Sequence, residues 1–206
     1  MNEQEYLNQI SASVRPAKVP KQKSGILASP FFKVGVIGFA LLIVIMIIGS
    51  MLGGGGENAK TSAIKLLLHL DNTAEVLSDY QSDLKSSDLR SSIATLHSVL
   101  TDASRKVTSY LENNYDYRSG SADDKLTEQA DLDRDSLESD LFNAKINGIL
   151  DRIIAHKMEY EITIFYSEEQ TLIKEVNDAE LKNALSSSMN SLETLYDKFN
   201  SFSGAK

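Results

Sequence analysis

Three histidines stand among 29 carboxylates in this chain, and that combination raises metal chemistry first. A carboxylate-bridged metal pair in a helical protein needs Glu-x-x-His on two helices, because residues i and i+3 project together into the core. None of His69, His97 or His156 has a carboxylate three residues before it; His156 with Glu159 gives the reversed spacing, once. His69 and His97 flank the apolar stripes of their segments. His156 falls on a stripe, where a hydrogen-bonded core imidazole is expected. The residue types are present, but their spacing does not predict a metal site.

Asp131, Asp133 and Asp135 spell D-x-D-x-D, the opening of a calcium loop. Such a loop needs Gly at its sixth position and a bidentate Glu at its twelfth. Ser136 and Phe142 stand there instead, and an acid-rich helix N-terminal region explains the run better. The serines form no G-x-S-x-G elbow and no S-x-x-K, and H-E-x-x-H is absent. The glycines at 53–56 lack the Gly-Lys-Ser/Thr of a phosphate cradle. Neither catalysis nor a cofactor is expected. One candidate binding surface remains, Tyr115 and Tyr117, beside Tyr110 at the end of a helix and in the loop after it. Loop tyrosines are large, rigid and amphipathic, which suits anchoring; packing against the end of a bundle is the competing reading.

The element that dominates the chain is Val34 to Leu52, nineteen residues without a charge, twelve of them Leu, Ile, Val or Phe. As a helix it would span roughly 28 Å, close to the hydrocarbon core of a bilayer. Those twelve side chains would favour insertion by roughly 4 to 7 kcal/mol. A transmembrane helix over 31–52 is therefore expected, with the lipid bilayer as its partner through residues 34–52. A cleaved signal peptide would have a shorter apolar core. A pilin start is suggested by GFALLIVIMIIG, but the Glu expected five residues into the helix is Ile43. Arg15, Lys18, Lys21, Lys23 and Lys33 precede the span, so the positive-inside bias puts the N-terminus in the cytoplasm and the rest outside.

Residues 1–30 are polar, hold all three prolines and are expected to be a disordered cytosolic tail. Residues 53–56 read as a glycine linker. Residues 57–206 carry 16 basic and 27 acidic side chains, a balance of −11 that argues against nucleic acid as a partner. The chain has no cysteine, which excludes disulfides and a lipidated cysteine.

Periodicity in 57–206 is helical. Ala63, Leu67, Leu70, Ala74, Leu77, Tyr80 and Leu84 make one stripe, and Leu89, Ile93, Leu96, Leu100, Ala103, Val107 and Leu111 a second. Ser87 is the expected N-cap of that second helix. Residues 113–124 read as the longest loop, with Ser121 and Asp124 as a capping box for a third helix. The clearest stripe of that helix is Phe142, Ile146, Ile149, Ile153, His156 and Tyr160. YEITIFY, from Tyr160, has strand-like propensity inside it. Asn177 or Asp178 caps a last helix whose inward residues are Leu181, Leu185, Met189, Leu192, Tyr196 and Phe199. The fold class expected is all-α: one N-terminal transmembrane helix followed by an antiparallel bundle of about four helices.

Three stretches, LHLDNTAEVLSDYQSDLKSSDLRSS from Leu68, LESDLFNAKINGILDRIIAHKMEYEI from Leu137 and SLETLYDKFNSF from Ser191, together with the tail and anchor, resemble single-pass, membrane-anchored helical proteins of Saccharibacteria-type bacteria. The resemblance implies a bacterial cell-envelope protein and supplies no activity, ligand or functional residue. The expected function is a non-catalytic, extracytoplasmic interaction or binding module at the plasma membrane, with an envelope protein as partner. The alternative is a ligand-sensing bundle that acts through a membrane partner.

Overall fold

The computed structural model describes residues 57–203, except 119, 121 and 123. The expected tail, membrane span, glycine linker and the Ser121 half of the capping box lie outside the described residues. Within them the chain is all-helical: α1 is Glu57–Tyr80, α2 Ser87–Tyr115, α3 Asp124–Ile146, α4 Leu150–Glu175 and α5 Ala179–Ser203. Among the described residues no helix is long and apolar enough to cross a membrane.

Helix α1 forms where its apolar residues recur every three or four positions, and the stripe from Ala63 to Tyr80 is buried as expected. A short 3-10 turn, Gln81–Asp83, and an extended Leu84 end it. The second stripe, Leu89 to Leu111, is buried as well. Its N-cap is Ser86 rather than Ser87: the Leu89 N–H donates to Ser86 Oγ at 3.2 Å. The reason is tertiary. Asp151, on α4, accepts the Lys85 N–H at 3.0 Å and the Ser86 N–H at 2.8 Å. That grip holds Ser86 in the extended conformation a cap requires. At its other end α2 runs to Tyr115, so the first three residues of the expected loop are helical. Asp116, at φ 49°, turns the chain back.

The expected third helix is two helices. Gly148, at φ +71°, ends α3. Its N–H donates to the Lys145 carbonyl at 3.1 Å, and the next N–H, of Ile149, reaches the Ala144 carbonyl at 2.9 Å. This pair of bonds is the Schellman closure, which places a left-handed residue at the end of a helix. The break changes which face is inside. Phe142 is 54% exposed and Ile146 68%, and Ile149, His156 and Tyr160 are exposed too. The buried set is Leu137, Leu141 and Ala144 on α3, then Leu150, Ile154, Met158, Ile162, Phe165 and Leu172 on α4. Only Ile153 of the expected stripe packs partly against the core. YEITIFY is helical within α4, with Ile162 and Phe165 inward.

Asp178 caps α5, its Oδ1 accepting the Leu181 N–H at 2.7 Å. Leu181, Leu185, Leu192 and Phe199 are buried as expected. Ser188 and Leu195 share that buried face, while Met189 and Tyr196 flank it half-buried. Helices α1, α2, α5 and α4 enclose the main core, and α3 lies on the seam between α1 and α4. Polar ties hold α3 there: Asn72 Nδ2 donates to the Ala130 carbonyl at 2.9 Å, Tyr80 Oη donates to the Glu138 carbonyl at 3.3 Å, and Lys157 pairs with Asp140.

Candidate functional site

With only three buried residues, α3 does not seal the seam it covers. A groove of about 470 Å³ remains between α1, α3 and α4, lined among others by Lys65, His69, Asn72, Arg134, Glu161 and Glu168. Lys65, His69 and Asn72 share one face of α1, at i, i+4 and i+7, and Glu161 and Glu168 are seven residues apart on α4.

His69 is the centre of this groove. Its Nε2–H donates to Glu161 Oε2 at 2.9 Å and its Nδ1–H to Glu168 Oε2 at 2.9 Å. Phe165, on the same face of α4, lies against the imidazole with ring centroids 4.2 Å apart. Burial alone would push the imidazole pKa down. The hydrogen bonds and charges of Glu161 and Glu168 outweigh it and raise the value to about 9. At neutral pH His69 is therefore an imidazolium. With both nitrogens protonated it has no lone pair for a metal or a substrate proton, and the cluster carries one net negative charge.

The histidines thus exchange roles relative to expectation. His156, expected in the core, is 72% exposed on the outer face of α4, its Nδ1 3.7 Å from Glu159. His97 is half-buried on α2. Among the described residues no group of three His, Asp or Glu side chains is arranged to hold a metal ion. Asp131, Asp133 and Asp135 are exposed along the middle of α3. Successive members of the run are two residues apart, about 200° around a helix, so their carboxylates do not converge.

The tyrosines close the end of the bundle. Tyr117 is only 7% exposed and belongs to the core, with burial and the Asp71 charge pushing its phenol pKa up. Tyr115 packs partly against the core, its Oη 3.2 Å from that of the buried Tyr110 and the two rings edge to face. Of the candidate surface Tyr115 and Tyr117, the structure leaves only Tyr115 partly open to solvent.

Sequence reasoning missed a second titratable centre, Glu169, which is fully buried. Its Oε1 accepts a hydrogen bond from Ser188 Oγ on α5 at 2.7 Å, and its Oε2 meets no partner among the described residues. Burial pushes its pKa up to about 8, against the opposing Ser188 bond and with help from the charge of Glu168. Near neutral pH it is mainly a carboxylic acid. The available signal was position: Glu169 lies four residues after Phe165 and three before Leu172, on the buried stripe of α4.

These features make a groove lined with charged side chains on a helical frame, suited to holding a small polar ligand or a partner's side chain. In comparisons with family models, curated proteins and solved structures, the chain matches none.

Proposed function

We propose that this protein is a single-pass membrane protein, N-terminus in the cytoplasm, that displays its helical bundle outside the cell as a non-catalytic binding module. The observation that carries the binding role is the groove between α1, α3 and α4, with the Glu161–His69–Glu168 cluster on its wall. The membrane setting rests on the uncharged run from Val34 to Leu52 and the lysines before it. The envelope context follows from the resemblance to membrane-anchored bacterial proteins. The partner in this reading is another envelope protein.

Protease added to intact cells tests the topology. Removal of the portion beyond residue 56 from intact cells supports it; removal only from inside-out vesicles reverses it. Proximity labelling from the C-terminus then identifies neighbours. A second reading, a ligand sensor signalling through a membrane partner, is favoured by the groove and its charged lining. It predicts a ligand-dependent rise in the melting temperature of the protein.

A further inference from the structure

The groove holds opposite charges in separate places. Glu161 and Glu168 each give one carboxylate oxygen to His69, and the second oxygen of each takes no hydrogen bond among the described residues. Lys65, one turn before His69 on α1, is exposed and belongs to no ion pair among the described residues. Arg134, on α3, sits on the other side. Its guanidinium is held only loosely, 3.7 Å from Glu75 and 3.4 Å from Asp135, and its Nε–H is buried without an acceptor among the described residues. A better acceptor would draw the guanidinium into the groove, because an orphaned buried donor is costly. By helical rise, Lys65 stands about 6 Å to one side of His69, and Glu75, which marks the level of Arg134, about 9 Å to the other.

We propose that this groove binds a small zwitterion, an amino acid or the end of a short peptide, with its ammonium on Glu161 and Glu168 and its carboxylate on Lys65. The acidic centre flanked by cations suits a ligand that carries both charges a few bonds apart. A simple anion would meet the net negative charge of the Glu161–His69–Glu168 cluster. A simple cation would leave Lys65 unanswered. The inference deepens the second, ligand-sensing reading of the groove and rests on it. The two fail separately, since protease accessibility reports topology alone and ligand titration reports the groove alone.

The test is calorimetric titration of the full chain in detergent micelles with β-alanine and with diglycine, using acetate and methylammonium as single-charge controls. Saturable binding of at least one zwitterion, with neither control binding as well, is the expected result. Glu161→Gln and Lys65→Gln should each weaken binding about tenfold, the effect of losing one charge-assisted contact. His156→Gln, on the outer face, should leave it unchanged. Should Glu161→Gln fail to fold by circular dichroism, the exposed Lys65→Gln still decides. Absence of saturable binding by both zwitterions, equal binding of acetate, or an unaltered affinity in folded Glu161→Gln or in Lys65→Gln would each overturn the proposal.

Discussion

At the scale of single residues, His69 on α1 and Glu169 on α4 make stability depend on pH in the same direction. The folded pKa of His69, about 9, lies above its ordinary 6.5, so its contribution is complete below 6.5 and is lost as pH rises through 9. The Glu169 pKa, about 8 against an ordinary 4.5, also means the folded state holds a proton that the unfolded chain has released. Its effect is absent below 4.5, and the destabilisation grows from there to about 8. Thermal melts of the native chain should therefore show a falling transition temperature between about pH 5 and 9. Glu169→Gln keeps the shape and removes the charge. We expect it to flatten the lower part of that decline and to stabilise the protein at about pH 8 by a few kcal/mol. His69→Gln should flatten the upper part while lowering stability at about pH 6. A variant pair that melts in parallel with the native chain across this range would refute both assignments.

At the scale of elements, the decisive event is the break at Gly148. A Cβ there would meet nothing within 4 Å, so Gly148→Ala tests backbone conformation alone. It should cost about 1 kcal/mol, measured by chemical denaturation. The same break predicts an inversion between neighbours on α3. Leu141→Ala removes a fully buried side chain and should destabilise by about 2 to 5 kcal/mol. Phe142→Ser, next to it on the solvent face, should change stability by less than about 0.5 kcal/mol. The stripe of Phe142, Ile146, Ile149, Ile153, His156 and Tyr160 keeps helical spacing straight through the turn. That is why its period misleads: a pattern of apolar residues reports a face but does not say which face meets the core. Gly148 was the local sign, since Ile-Asn-Gly-Ile carries the residue that a left-handed helix end favours. Capping was legible to within one residue. Asp178 acts where expected, and Asp178→Ala should cost about 1 kcal/mol. The Ser86 cap depends on Asp151, 65 residues away, which no local rule contains.

At the scale of the whole molecule, what the sequence by itself determined is the all-helical class, the stripes of α1, α2 and α5, the acidic balance of the bundle and the uncharged run before it. These are properties of neighbouring residues, because helix formation, amphipathicity and charge depend on spacing along the chain. The candidate site was not legible in this way. His69 reads as a flanking residue, and nothing in the spacing of Glu161 and Glu168 sets them apart from the other carboxylates. Their meeting joins positions 92 and 99 residues apart and depends on how α4 packs against α1. Tyr117 reads as a loop residue until the turn at Asp116 folds it into the core. Tertiary structure decided these matters for one physical reason. Burial and electrostatic pairing arise from the environment that distant segments create, and the groove remains because α3 turns only three side chains into the core and leaves the seam it covers partly open.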